Sequence, residues 1–335
     1  MDDDQGGYRQ INKSLNIGAF GDYLKSQIKN LPIIPNVEQV SPRVLRILGQ
    51  NPGKMTLQGT NTYVIGTGKH RLMIDTSGGE PEWAALVEST LQQRGITLDH
   101  VLLTHWHGDH TGGVPDLLRL FPKLAGHVHK NLPVLEQEDI DDGQIWEVEG
   151  ATVRALHAPG HSEDHMCFIL EEENAMFTGD NILGHGSSAL EDLGLFQQSL
   201  QKMYDEQCEK GYSAHGVTIH DLSDKIMREM EQKWRRERQV LDALRKSRNK
   251  GAKNVTLEQL VGDIYGSALD RQTRSLTLEP IIDEVLRKLA GDGSVAFANR
   301  GGKRRWYAIG AAHNVMHIQE KLSSVITVEE IELSD

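Results

Sequence analysis

The chain predicts an α/β protein in which two sheets are sandwiched between outer helices, with a second, smaller module behind them. Three observations carry that expectation. Strand-like runs and amphipathic helices alternate, and they do so in two similar halves. The cluster His105-x-His107-x-Asp109-His110 stands directly after the apolar run Val101-Leu102-Leu103, where a buried strand would deliver it to an edge. Finally, the charge balance reverses near residue 233. Lys233 to Gly310 holds 17 Lys and Arg against 9 Asp and Glu, a balance of +8, while the remainder holds 19 against 39 and the whole chain carries -12.

Taken in order, residues 1–35 form an N-terminal arm, with Phe20, Tyr23, Leu24 and Ile28 at helical spacing and Pro32 and Pro35 closing it. Val44 to Leu48, Asn61 to Ile65 and Arg71 to Asp75 read as strands, separated by the turn signals Asn51-Pro52-Gly53 and Gly66-Thr67-Gly68. Glu82 to Arg94 is an amphipathic helix carrying Leu86, Val87 and Leu91 on one face. His100 to Leu103 is a short buried strand, and a helix opens at Gly112-Gly113-Val114-Pro115 and runs through Leu120. The second half follows the same plan. His127 to His129, Trp146 to Glu149 and Thr152 to Leu156 are strands, Met166 to Leu170 and Ala175 to Thr178 a hairpin, and Leu195 to Lys210 a helix.

Behind this body, a long charged helix is expected from Asp221 to Ser247, then helices Leu257 to Tyr265 and Thr277 to Ala290. Two short strands, Val295 to Phe297 and Trp306 to Ala308, flank the basic stretch Arg300-Gly301-Gly302-Lys303-Arg304-Arg305, a winged-helix pattern. The expected division is therefore an arm (1–35), a catalytic domain (36–232), a winged-helix-like domain (233–310) and a tail (311–335) whose role the sequence leaves open.

Composition excludes several classes. In 335 residues, 38% hydrophobic and 25% charged, no stretch approaches the ~20 apolar residues of a membrane span. The acidic start Met1-Asp2-Asp3-Asp4 is unlike a secretory or transit peptide. Cys167 and Cys208 make no disulfide framework, so a reducing, cytoplasmic setting is expected.

The chemistry lies in the His/Asp pattern. Imidazole and carboxylate suit zinc or a neighbouring first-row ion, and three histidines with an aspartate in six residues are far denser than a surface loop requires. Residues to complete two sites follow downstream. His105, His107 and His161 are expected on one ion, and Asp109, His110 and His215 on the other. Asp180, after a strand and a glycine, is expected to bridge them. His161 follows Pro159-Gly160 and His215 precedes Gly216, turns that bend a side chain into a cleft. Two divalent ions sharing a water lower its pKa towards ~7, and Asp109 is the expected catalytic proton acceptor as well as a ligand. Asp75, ending a strand, is expected to hold a ligand histidine or a loop amide in place from behind. The remaining histidines are read as non-ligands, His185 in Leu183-Gly184-His185-Gly186 being the one expected to line the cleft.

His105-x-His107-x-Asp109-His110, His161, Asp180 and His215, with Asp75 ahead of them, resemble the five ordered motifs of the metallo-β-lactamase superfamily. The resemblance spans roughly Val40 to Ile219 and implies a four-layer αβ/βα sandwich with a dinuclear site at one edge of the sheets. Asn51 to Tyr63, Glu149 to Thr152, Asp164-His165-Met166 and Glu171 to Ala175 look like the β-lactamase-like-protein-2 branch, whose members carry a C-terminal winged-helix-like domain. Tyr8 to Asn16, Thr104 to Leu117 and Asn181 to Gly186 are similar to fungal stand-alone polyketide thioesterases, the atrochrysone carboxyl-carrier-protein group. Thr76-Ser77-Gly78-Gly79 and Ala158 depart from that group's pattern without touching an expected ligand.

That likeness implies a hydrolase with two divalent ions, zinc first and manganese second. It would release an aromatic polyketide from the acyl carrier protein of a non-reducing synthase, metal-bound hydroxide cleaving the thioester. The alternatives are a single-strand endoribonuclease of the same branch, the one reading in which a nucleic acid is the partner, and a hydroxyacylglutathione-type thioesterase. A membrane partner is not expected.

Overall fold

The computed structural model of the protein describes residues 31–309, apart from 135, 253, 267–270 and 272–273. The helix expected in the arm and the tail beyond 310 lie outside the described residues. The chain divides into two compact units, Met1–Met230 and Glu231–Asp335.

The first unit is built on two sheets. One has six strands in sequential order: β1 (Val37–Gln39), β2 (Val44–Leu48), β3 (Asn61–Ile65), β4 (His70–Ile74), β5 (Thr97–Leu103) and β6 (Val128–Lys130). The other has five, ordered β11 (Lys210–Ser213), β10 (Ala175–Gly179), β9 (Met166–Leu170), β8 (Ala151–His157) and β7 (Ile145–Val148). Strand alternation explains how they stack. Val44, Tyr63, Ile65, Leu72, Ile74 and Leu102 face inward and meet Val153, Phe168 and Phe177 of the second sheet in a common core. Their neighbours Leu45, Ile47, Val64, Met73, Val101 and Leu103 point the other way. There they bury Trp83, Val87 and Leu91 of α1 (Pro81–Arg94) and Leu117 of α3 (Val114–Leu120). Both faces of these strands are covered, which is why they read as continuous apolar runs rather than as alternating ones.

Direction matters more than order for the site. β4 runs parallel to β5, and β10 parallel to β11, while β8 points the same way as β10 because each is antiparallel to β9. The strands that end at Ile74, Leu103, His157, Gly179 and Ser213 therefore all leave the sandwich at its carboxyl edges.

Several expectations need correction. The helix expected from Leu195 to Lys210 is α4, Leu193–Asp205. It starts earlier because the Asp192 carboxylate accepts from the Leu195 N–H at 2.8 Å. It stops earlier because Gln207 turns left-handed at φ 53°, and Lys210 then begins an edge strand paired with Ala175. The histidine cluster is also more ordered than a loop, since α2 (Gly108–Thr111) winds one turn through Asp109 and His110.

The second unit holds most of α5 (Leu222–Asn249), whose first residues belong to the first unit. α6 (Leu257–Tyr265) opens on a capping box between Thr256 and Gln259. α7 (Glu279–Gly291) buries Ile282, Val285, Leu286 and Leu289. The ribbon β12–β13 (Val295–Arg300 and Lys303–Ala308) is longer than the sequence predicts, with Gly301 and Gly302 alone at its tip. Trp306 anchors it, pairing across to Val255 by backbone hydrogen bonds of 2.7 and 3.0 Å.

Gly160 shows how tightly the first unit is assembled. It sits at φ +131°, and a Cβ there would collide with the backbone of Phe196 in α4. Alanine adds both a strained conformation and an overlap, so Gly160→Ala is expected to destabilise the first unit by about 2 kcal/mol or more. A thermal melt unchanged from the parent protein would refute this account of the α4 contact.

Candidate metal centre

Each expected site residue lies within a few positions of a strand exit. Asp75 follows β4, His105 to His110 follow β5, His161 lies on the β8–β9 turn, Asp180 follows β10 and His215 follows β11. Their side chains converge in two groups. One gathers His105, His107, His161 and Asp180, the other Asp109, His110 and His215, with the ligand-type atoms of each group within 4.8 Å of one another. All seven residues are at least nine-tenths buried.

The geometry of the first group is unusual for histidines. His105 Nε2 lies 2.8 Å from His107 Nδ1, His161 Nε2 lies 3.0 Å from the same atom, and the two Nε2 atoms are 3.2 Å apart. The outer nitrogens fix the tautomers. His161 Nδ1 donates to the Ala189 carbonyl at 2.8 Å, with Ser188 Oγ equally near. His105 Nδ1 contacts Thr104 Oγ1 at 3.0 Å. Both Nε2 atoms are therefore acceptors aimed at a third ring nitrogen. Burial first, then the neighbouring rings, holds His105 well below the usual histidine range, and burial holds His107 down at about 3, so protons do not resolve the arrangement. A small cation does: four-coordinate zinc with bonds of ~2.0–2.1 Å would separate its nitrogens by about 3.3 Å.

The second group is the electrostatic complement. His215 Nε2 is 3.1 Å from Asp180 Oδ1 and 3.2 Å from Asp109 Oδ2, and His110 Nε2 is 3.4 Å from Asp109 Oδ2. Yet His110 Nε2, His215 Nε2, both Asp109 oxygens and Asp180 Oδ1 make no well-aligned hydrogen bond among the described residues. Such atoms point at a common centre rather than at each other. Burial opposes charge on both rings, but the carboxylates outweigh it. Asp109 and Asp75 drive His110 well above its usual range, and Asp180 with Asp109 lifts His215 to about 9. Asp109 and Asp180 are lowered in turn, against their own burial, by His110 and His215. Buried negative charge is here balanced by protons that a divalent ion would displace.

A further layer holds these groups in place. Asp75 Oδ2 is 2.8 Å from His110 Nδ1, and Asp75 Oδ1 accepts from the Thr104 N–H at 2.8 Å. Thr104 Oγ1, 2.9 Å from Asp75, thus couples the exit of β4 to that of β5. His165, read from the sequence as a non-ligand, has a role that the sequence does not show. Its ring is fully buried beside His105, and its Nε2 accepts the Asp180 N–H at 3.0 Å, fixing where that carboxylate points. Its visible signals are its place four residues after His161 and within the branch-like run Asp164-His165-Met166. Across the sandwich, Asn61 Nδ2 donates to the carbonyls of Ser213 and Gly216 at 2.9 and 2.8 Å, gripping the His215 turn from the other sheet. His185, expected at the cleft, is half-buried on the loop after Asp180 and joins neither group.

Known proteins place this architecture. The metallo-beta-lactamase superfamily profile matches residues 55–206. A metallo-beta-lactamase family protein from Thermus thermophilus superposes with a TM-score of 0.59 at 19% identity, covering 81% of this chain and all of its own. A beta-lactamase domain protein from Burkholderia ambifaria gives 0.66 at 16% identity, covering 84% and 95%. These two share the fold. Much nearer in sequence are fungal proteins named atrochrysone carboxyl ACP thioesterase. One from Claviceps purpurea is 66% identical over 92% of this chain and 100% of its own length. One from Pseudocercospora fijiensis is 64% identical, covering 92% and 93%. One from Emericella nidulans is 58% identical, covering 91% and 97%. The chain belongs to the metallo-β-lactamase superfamily, in the group of the fungal atrochrysone carboxyl ACP thioesterases.

Proposed function

We propose that the protein is a metal-dependent thioester hydrolase that releases an aromatic polyketide from the acyl carrier protein of a non-reducing polyketide synthase. The observation that carries the metal dependence is the triangle of inward-facing nitrogens on His105, His107 and His161, 2.8 to 3.2 Å apart. The reaction and substrate rest on the likeness to the fungal thioesterases, which extends over nine-tenths of the chain.

His105, His107 and His161 would hold one divalent ion and Asp109, His110 and His215 the other, with Asp180 between them; zinc is the ion proposed, and manganese also suits the donor set. Such a pair supplies an activated water at neutral pH and an electrophile for the thioester carbonyl. The chain's own contribution is positional. Asp109 presents two oxygens that make no well-aligned hydrogen bond among the described residues, so one is open to take the proton of the attacking water. His110 and His215 hold the Asp109 carboxyl far below its usual range despite its burial, so its role as base rests on position rather than on basicity. Asp75 and Thr104 keep the His110 ring turned inward, and His165 orients Asp180 through its backbone N–H.

The carrier protein is the proposed partner. Carrier proteins tend to be acidic, and the ribbon of the second unit exposes Phe297 and Tyr307 among Arg300, Lys303, Arg304 and Arg305. The free cysteines Cys167 and Cys208, both buried, suit a cytoplasmic setting. Among the described residues no helix is long and apolar enough to cross a membrane.

Asp109→Ala is expected to abolish cleavage of an aromatic acyl thioester on a carrier protein while the parent leaves single-stranded RNA intact. Cleavage of RNA by the parent, lost in the same variant, would make the protein a nuclease instead. Asp75→Asn, which weakens the grip on His110, is expected to lower metal affinity by about 10- to 100-fold in chelator competition; unaltered affinity would remove Asp75 from the account. Reversing the charge of Lys303, Arg304 and Arg305 together should raise KM for the carrier-bound substrate about tenfold through lost electrostatic steering, with metal content unchanged. An unmoved KM would shift docking elsewhere.

A further inference from the structure

Beside the metal centre lies a cavity of about 820 Å³ that none of the seven clustered residues lines. Its walls are apolar: Trp106, Val114, Pro115, Leu118, Leu132 and Val134. Trp106 joins it to the centre, since its ring lies 4.8 Å from that of His107 and it sits between His105 and His107 in sequence. Leu132 and Val134 project from the loop after β6 and are 50% and 76% exposed, an apolar pair left in water at the mouth of a groove.

The polar lining has one sign. Glu136, Glu163 and Glu191 face the cavity, and none is ion-paired among the described residues. The lysine in the lining is already engaged. Lys130 Nζ donates to Asp164 Oδ2 at 2.5 Å and to the carbonyls of Asn131 and Leu132 at 2.7 and 2.9 Å, using all three of its hydrogens. That buried pair ties the Leu132 loop to the loop of His161 and offers nothing to an anion. Partial burial first, and then Asp164, raise the Glu191 pKa.

Resting on the thioesterase reading, we infer that this trough receives the acyl half of the substrate: a flat, uncharged aromatic whose hydroxyl groups donate to the rim carboxylates. Trp106 supplies the stacking face, and Val114, Leu118, Leu132 and Val134 the walls. The charge pattern selects this occupant. The pantetheine arm ends in a phosphate and RNA is a chain of phosphates, and three carboxylates with no free cation among the described lining residues repel both. Trp106, Leu118 and Val134 thereby become specificity determinants, outside the metal-holding set.

Two measurements on the zinc-loaded full-length protein test this. The first is quenching of tryptophan fluorescence by a dihydroxynaphthamide, a neutral probe, and by the same amide bearing a sulfonate on its distal ring. The neutral amide is expected to bind at least tenfold more tightly than the sulfonated one, and Leu118→Trp, which fills the trough, should weaken binding of the neutral amide at least tenfold. Val134→Asp, at a position too exposed to affect folding, should do the same. The second is the ratio of kcat/KM for a hydroxynaphthoyl thioester to that for an acetyl thioester on one small thiol carrier, expected to fall at least tenfold in both variants. Equal binding of the two amides, or variants that leave affinity for the neutral amide and the ratio unmoved, would overturn the trough assignment. Amide binding that responds to both variants in a protein hydrolysing neither thioester would support the trough and sink the thioesterase reading alone.

Discussion

Seven groups that would ordinarily seek protons or water are held facing one another in the dry edge of a sandwich. That arrangement is unfavourable in itself. Neutral imidazole nitrogens within about 3 Å repel through their lone pairs, and buried carboxylates are costly without a counter-charge. The rest of the first unit can be understood as the scaffold that enforces this convergence. Parallel strand pairs bring the exits together, Asp75 and Thr104 lock the β4 and β5 exits to each other, and Asn61 reaches across to the His215 turn.

How much of this is legible in the sequence depends on the range over which each feature is encoded. The donor set is legible because ligand chemistry leaves a local signature: four donors within six residues, then single donors each next to a glycine. Strand positions are legible because two buried faces produce apolar runs, and Val44–Leu48, Asn61–Ile65 and Met166–Leu170 match the expected bounds. The end of α4 is not, because Gln207 adopts a left-handed conformation that no glycine announces, and the helical pattern runs on through it. The role of His165 escapes notice for a different reason. Its function lies in accepting one backbone N–H fifteen residues away, a relation fixed by the β9–β10 hairpin and invisible in a list of donors. The trough is least legible of all, being assembled from the histidine turn, α3, the loop after β6 and the loops around Asp164 and Glu191.

The division of labour around the centre follows from the same geometry. Residues that would meet the ions come from the strand exits, where backbone is braced by the sheets. Residues that would meet the variable part of a substrate come mostly from α3 and from the exposed loop carrying Leu132 and Val134, joined by Trp106 of the histidine turn. Most of the proposed selectivity thus lies on segments apart from the ligands, with Trp106 as the one residue where the two meet.

The grip of Asn61 on the Ser213 and Gly216 carbonyls has a thermodynamic meaning beyond the site. Asn61 and Tyr63 belong to one sheet and His215 to the exit of the other, with the Tyr63 hydroxyl also bonded to Ser213 at 2.6 Å. The two sheets cannot slide past each other without pulling His215 from its partners. Occupancy of the centre and cohesion of the two sheets are therefore linked by mass action. Whatever binds the seven groups only when they are assembled also raises the melting point of the whole sandwich, by an amount set by its free concentration.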